Sequence, residues 1–184
     1  MIELDNWLHW WRAGFVTDIH RTWHHLPWFQ LGQEEQQMLY QDSPSAVRAL
    51  CDIPSTRVCQ PEQRTMAFID LSPLRQKTML RLFSALCNED VSHLNSDDQA
   101  WCQRIVKAVR PSSFLPTGIN YRDPVYQLSL FRSVFVPGIW SRLRLRFSQE
   151  QILQAETDGL SEKGINQKRL RALIDAALWR IEQS

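Results

Sequence analysis

Apolar side chains recur at helical spacing along most of this chain. Leu4, Trp7, Leu8 and Trp11 follow one another at intervals of three and four residues, which places them on one face of a helix. The clearest helical pattern lies in residues 165–182, where leucine, isoleucine and alanine return at every turn. Both ends of the chain are therefore predicted to form amphipathic helices.

Proline, serine and the apolar spacing predict further helices between these two. One covers residues 44–51, one starts after Ser72, and one covers residues 96–110. Residues 52–64 contain two prolines and many polar side chains, which predicts an exposed loop. Residues 125–136 fit either a helix or a strand.

The stretch of residues 138–151 departs from the helical pattern. Arg142, Arg144 and Arg146 alternate there with apolar residues, and a period of two is typical of a strand with two different faces. We therefore predict a short strand that carries three arginines on one face. Because no acidic residue occurs in residues 124–149, this stretch is also a local basic patch.

The balance of predicted elements favours a mostly α-helical fold. An α/β fold would need several buried strands rich in valine and isoleucine, whereas this chain offers at most a short strand or hairpin. A chain of 184 residues is long enough for a single globular multi-helix domain with at most a small appendage. We predict a helical domain over residues 1–147 and a C-terminal helical extension, residues 148–184, that packs on the same domain.

Composition and charge narrow the possible partners and the cellular location. A net charge of +1 gives the chain no overall field that would hold nucleic acid or an anionic membrane. Its apolar runs are too short for a bilayer, and its N-terminus lacks the basic start and apolar block of a signal peptide. The four cysteines are widely spaced, as the reduced, buried thiols of cytosolic proteins usually are. A cytoplasmic location is expected.

Histidines near the N-terminus raise the question of a metal site. The cluster comprises His9, His20, His24 and His25. The second and third are four residues apart, so on a helix they would share a face and could hold a metal if Asp18 or a cysteine supplied a third ligand. The glutamate of a zinc-protease helix is missing, so structural or hydrogen-bonded histidines are the preferred interpretation. The sequence also lacks a nucleophile motif and a glycine-rich phosphate loop. We expect no enzyme, no cofactor and no metal, with a metal-dependent enzyme as an alternative.

The arginines of the predicted strand, together with Arg132, allow three interpretations. First, the arginines could lie on a solvated strand edge without any binding role, where their charge prevents aggregation. A small nucleic-acid-binding regulatory protein could use Arg142, Arg144 and Arg146 for phosphates, but the patch is small and no nucleic-acid-binding motif accompanies it. An acidic surface on a protein partner suits the forked donors of arginine equally well.

Aromatic residues crowd the N-terminal segment of a chain with eight tryptophans. Trp7 and Trp11 share a helical face while Trp10 points elsewhere, which is typical of a deeply buried helix or of an interface. Phe15 and Trp23 are expected to help organise the N-terminal core, together with His20.

Three segments resemble a known family. Phe15-Val-Thr-Asp-Ile-His20, continuing to Leu26-Pro27, is similar to the N-terminal signature of the type III secretion sorting-platform accessory proteins (the SctK, YscK, OrgA, MxiK and HrpD family). Trp140-Ser-Arg-Leu-Arg-Leu-Arg-Phe147 is similar to a C-terminal Trp-x-Arg-Leu-x-Leu-Arg element in that family. Residues 71–87 resemble its central leucine-rich helix. The tail after Phe147 departs from the family pattern, in which the chain often ends soon after that element.

The resemblance implies a mainly helical, non-enzymatic adaptor without a cofactor at the base of a bacterial injectisome. Members of the family join the cytosolic sorting-platform pods to the cytoplasmic domain of the inner-membrane ring. This chain would then lie in the cytoplasm, at the cytosolic face of the inner membrane when assembled. Its partners would be proteins and not nucleic acid, and it would contact the membrane through proteins only.

The sequence offers two groups of candidate partner-binding side chains, namely cationic and indole side chains. They are Arg132, Arg142, Arg144, Arg146, Trp7, Trp10, Trp11 and Trp140. Reversing the charge of the three arginines on the predicted strand is expected to abolish assembly and secretion while leaving the fold intact.

Overall fold

A computed structural model describes residues 4–161 and 164–183, and all their regular secondary structure is helical. The prediction of a mostly α-helical fold is confirmed. The α-helices of these residues are α1 (Leu4–Arg12), α2 (Gln33–Asp42), α3 (Pro44–Leu50), α4 (Gln63–Ile69), α5 (Pro73–Asn88), α6 (Ser96–Val109), α7 (Pro124–Ser133), α8 (Pro137–Leu143), α9 (Gln149–Thr157) and α10 (Gln167–Glu182). Short 3₁₀ turns cover Gly14–Asp18, Arg21–Trp23, Pro27–Gln30, Pro111–Ser113 and Arg144–Arg146.

Contacts between residues group the chain into two units. Unit 1 comprises Met1–Gln63 and Phe135–Leu153, and unit 2 comprises Arg64–Val134 and Gln154–Ser184. Helix α10, which the sequence places in a C-terminal extension, belongs to unit 2. The division into a domain ending at residue 147 and an extension remains a prediction.

Unit 1 contains the tryptophan-rich N-terminal helix. Trp7, Trp10 and Trp11 are buried, and the Trp7 ring centroid lies 5.4 Å from that of Trp10 and 5.8 Å from that of Trp11. Helix α1 packs against α3 and against the turn Gly14–Asp18. Because α1 has only nine residues, too few for a stable isolated helix, the packing of its tryptophans must hold it in place.

Unit 2 is centred on α5, which packs against both α6 and α10. The Arg64 guanidinium on α4 pairs with Asp175 of α10 at 2.7 Å, and Arg180 of α10 pairs with Asp98 of α6 at 2.9 Å. The apolar face of α10 is fully enclosed, as its sequence pattern predicts. Its buried residues are Leu170, Leu173, Ile174, Ala177, Leu178 and Ile181.

The predicted strand in residues 138–151 is wrong. Helix α8 and the 3₁₀ turn Arg144–Arg146 occupy this stretch instead. Pro137 takes the first helical position, where proline is favoured because its missing N–H has no helical partner to lose. Of the apolar residues that suggested one face of a strand, Leu143 is buried at the end of α8, Leu145 is buried in the 3₁₀ turn, and Phe147 follows that turn.

The structure also defines the conformation of residues 125–136 and of the predicted loop at residues 52–64. The ambiguous residues 125–136 are mainly helical, because α7 extends to Ser133. The predicted loop carries no helix from residue 53 to residue 62, and α4 begins at Gln63.

All four cysteines are free thiols, and Cys51, Cys87 and Cys102 are buried. Burial raises the pKa of the Cys51 thiol to about 12, so it stays protonated at neutral pH. Within the described residues, no helix combines the length and the apolar character needed to cross a bilayer.

Candidate functional site

The two segments that carry most of the family resemblance meet in unit 1. The backbone N–H of His20 donates to the carbonyl of Leu145 at 2.7 Å. The indole N–H of Trp23 donates to the carbonyl of Phe147 at 2.9 Å. Segments more than 120 residues apart in the sequence are thus joined by direct hydrogen bonds.

Side chains extend this pairing. Arg146 Nη2 donates to Asp18 Oδ2 at 2.9 Å, and the Arg146 side chain is only 5% exposed. The backbone N–H of Gln149 donates to the hydroxyl of Thr22 at 2.9 Å. Arg146 is therefore engaged inside unit 1 and does not stand on an open surface.

Arg142 lies at the centre of the same region. Its Nε donates to the Trp11 carbonyl at 2.9 Å, and its Nη1 donates to the Gly138 carbonyl at 2.6 Å. Its Cζ lies 3.9 Å from the centroid of the Trp11 ring and 5.7 Å from that of Phe15. We call Trp11, Phe15, Gly138 and Arg142, together with Thr56 beside Gly138, the arginine–tryptophan cluster.

The guanidinium of Arg142 is 1% exposed and has no acidic partner among the described residues. Burial lowers its pKa to about 10, and the positive charge of Arg48 adds to this effect. A pKa of about 10 still leaves the group protonated at neutral pH. The cluster therefore holds a buried cation that is stabilised by two carbonyl oxygens and an indole ring.

The predicted three-arginine face is absent, since Arg142 points into unit 1. Arg144 is half-buried, with its Cζ 5.6 Å from the Trp23 ring centroid, and Arg132 is half-buried in unit 2. The nucleic-acid alternative depended on the same exposed face. Reversing the charge at Arg142 would place a carboxylate against two carbonyl oxygens, so we now expect loss of the fold where the sequence suggested an intact one.

The four tryptophans named as partner-binding candidates are also enclosed. Trp7, Trp10, Trp11 and Trp140 are all at most 5% exposed. Their assignment to a partner surface remains a prediction, and in this conformation they are core residues of unit 1. Trp7 also donates from its indole N–H to the carbonyl of Cys59 at 3.1 Å.

The histidines do not converge on one point. His9 Nε2 lies 2.7 Å from the hydroxyl of Tyr40, and His24 stacks on Phe29 with ring centroids 4.2 Å apart. His20 Nδ1 lies 2.9 Å from the Thr22 hydroxyl, and burial holds its pKa below the usual value, with Arg21 adding to the effect. Within the part of the chain that is described, no three histidine, cysteine, aspartate or glutamate residues are grouped to hold a metal ion.

Sequence reasoning missed three residues that the structure brings forward. Thr56 and Gly138 belong to the arginine–tryptophan cluster, and no local pattern could have paired them. Trp179 is 54% exposed on α10, and its position could have been found. The buried positions of the α10 pattern leave Trp179 on the opposite side of the helix, where an indole is unusual.

Adding one methyl group at Gly138 is expected to destabilise unit 1. A Cβ there would lie 2.8 Å from Trp11 Cη2 and 3.1 Å from Thr56 Oγ1. Overpacking of this kind costs about 1–3 kcal/mol, more than the roughly 1 kcal/mol by which alanine favours a helix over glycine. Urea unfolding of Gly138→Ala should show the loss.

The double variant with Trp11→Phe tests the cause of that loss. The smaller ring lacks the atom that the new methyl group would meet, so Gly138→Ala should cost less in the Trp11→Phe background. Equal costs in both backgrounds would show that the contact with Trp11 is not the reason.

Comparisons of this chain with protein-family models, with curated proteins and with solved structures gave no match.

Proposed function

We propose that this chain is a non-enzymatic adaptor of a bacterial type III secretion system, which links sorting-platform pods to the inner-membrane ring. One observation carries the proposal beyond the resemblance itself. The two segments of unit 1 that resemble the family, Phe15–Pro27 and Trp140–Phe147, pair through His20 with Leu145 and Trp23 with Phe147. Because the two motifs contact each other, they form one structural element. Their joint presence therefore supports the family resemblance more specifically than two separate short matches would.

The partner contact should involve exposed side chains, because Arg142 and the four tryptophans that the sequence suggests as contacts are enclosed. Among the described residues, several large apolar side chains are at least half exposed, namely Leu4, Met38, Val58, Leu74, Val136, Leu153 and Trp179. Tryptophan is the residue type most enriched among energetically dominant interface positions. Trp179 is therefore the first residue of this set to test as a partner contact.

Affinity purification of the tagged chain from cells that carry the secretion system tests the proposal. We expect the pod and inner-membrane-ring components to be recovered and identified by mass spectrometry. Trp179→Ala should weaken that recovery, since the loss of an interface tryptophan costs about 2 kcal/mol or more, which is roughly a 30-fold loss of affinity.

Met38→Ala serves as a matched control, because it removes an exposed apolar side chain in the other unit. Both variants should retain the helical circular dichroism of the unmodified chain. If the unmodified chain recovers none of these components, the adaptor proposal is wrong. If Trp179→Ala recovers them fully, Trp179 is not the contact.

A further inference from the structure

Unit 1 contains a cleft of about 400 Å³ that is open to solvent on one side. It lies where the last turns of α1 and α2 meet the first residue of α3, and α3 packs against both of these helices. The residues that line it are His9, Arg12, Ala13, Tyr40, Gln41 and Pro44. Ligand pockets have volumes of roughly 300–1,000 Å³, so this cleft suits a small molecule.

Two rings with fixed positions form one wall of the cleft. The Tyr40 hydroxyl lies 2.7 Å from His9 Nε2, and the two rings meet edge to face with centroids 5.7 Å apart. Gly14 also packs on the His9 ring, since a Cβ there would lie 3.0 Å from His9 Cδ2. Burial raises the pKa of the Tyr40 hydroxyl, which therefore stays uncharged at neutral pH. The wall thus brings aromatic surface to the cleft without a negative charge.

Arg12 supplies the permanent positive charge of the cleft. Its side chain is exposed and makes no hydrogen bond or ion pair within the described residues. The acidic residues of the two helices that carry the rings do not line the cleft and do not pair with Arg12; they are Asp5, Glu34, Glu35 and Asp42. Helix α3 has no acidic residue. The guanidinium therefore keeps its fork of N–H donors available for an anion from solution.

We propose that this cleft binds a small carboxylate that has an apolar body. The Arg12 guanidinium pairs with the carboxylate, while the Tyr40 ring and the side chains of Ala13 and Pro44 contact the apolar body. A phosphate group carries up to about two negative charges, whereas a carboxylate carries one and so matches a single arginine. This site does not depend on the proposed adaptor function.

A titration of the full chain with sodium benzoate tests the proposal. Benzoate combines one carboxylate with an apolar ring, and benzamide has the same ring without the charge. At constant ionic strength, the backbone amide resonances of Arg12, Ala13 and Gln41 should shift along one saturating curve as benzoate is added. Benzamide should need a concentration at least about tenfold higher, because it cannot form the charge-assisted pair.

Arg12→Gln removes the charge from the cleft and keeps most of the side-chain stem. It should weaken benzoate binding at least about tenfold, whereas Arg57→Gln, at an exposed arginine of the same unit that does not line the cleft, should leave binding unchanged. Both positions are exposed, so both variants should keep the amide spectrum of the folded chain.

Three results would overturn the proposal. The first is the absence of saturable shifts at the cleft in the unmodified chain, and the second is unchanged benzoate binding in Arg12→Gln. The third is saturation of the same amide shifts by inorganic phosphate at a lower concentration than benzoate, which would make the site one for phosphate.

Discussion

A chain that ends after Phe147 is expected to lose the folded structure of unit 2. Such a chain lacks α10, whose buried leucines and isoleucines cover α5 and α6. Burial of one such side chain contributes about 1.5–3 kcal/mol, so five of them contribute about 7–15 kcal/mol. That sum is as large as the whole stability of a typical domain, which is about 5–15 kcal/mol.

Polar contacts act in the same direction. Without α10, Arg64 loses the carboxylate of Asp175 and Asp98 loses the guanidinium of Arg180, although these pairs are only modest contributors because they are partly exposed. The apolar loss is therefore the decisive one. It leaves the central helix of unit 2 with an apolar face in water, which favours unfolding or aggregation.

Amide hydrogen exchange of the shortened chain checks this expectation. The amides of α5 should lose the protection that they have in the full chain, while a control chain ending at Glu182, which keeps all of α10, should retain it. Native-like protection of α5 in the shortened chain would mean that the tail is an addition to a domain that is complete at residue 147. That outcome would support the division predicted from the sequence.

Helices α5 and α10 of unit 2 could be predicted because each has a strong local signal. Helix α5 follows a serine cap and a proline, and α10 repeats an apolar face over four turns, so the sequence specifies the start of α5 and both ends of α10 to within about two residues. Helix α8 could not be predicted in this way. With seven residues it has too few turns to distinguish a period of 3.6 from a period of two, and only packing decides between them.

The arginine–tryptophan cluster could not be predicted from local sequence patterns, for a related reason. Arg142 donates to a carbonyl 131 residues earlier in the chain, and no pattern in residues 138–151 records that acceptor. Arginine is rarely fully buried, so the sequence favoured an exposed position for it. The sequence did identify Phe15–Pro27 and Trp140–Phe147 as the segments that resemble the family, and the structure adds that these two segments contact each other.

Replacing Arg142 by alanine is expected to lower the free energy of unfolding by about 2–5 kcal/mol. The change leaves the Trp11 carbonyl buried without its guanidinium donor, at about 1–3 kcal/mol, and removes a desolvated cation–π contact of about 2 kcal/mol, while the Gly138 carbonyl keeps a hydrogen bond from the Ser141 hydroxyl. Relief of the buried charge offsets part of this loss. A cavity under the Trp11 ring adds to it.

Arg142→Met distinguishes the hydrogen bonds from the cavity. Methionine keeps an unbranched stem in the space below Trp11 but has no N–H to donate. If the unpaired Trp11 carbonyl dominates, Arg142→Met should remain at least about 1 kcal/mol less stable than the unmodified chain. Urea unfolding followed by tryptophan fluorescence measures both variants, and Arg57→Ala, at an exposed arginine of the same unit, should stay within about 0.5 kcal/mol.

The stability of these variants decides how any secretion assay of the arginines can be interpreted. Loss of secretion in Arg142→Ala would follow from an unstable unit 1 even if Arg142 never touches a partner. Half-buried Arg144 is a better probe of partner contact than Arg142, because Arg142 is only 1% exposed. If Arg142→Ala proved as stable as Arg57→Ala, the buried cation would not be what stabilises unit 1.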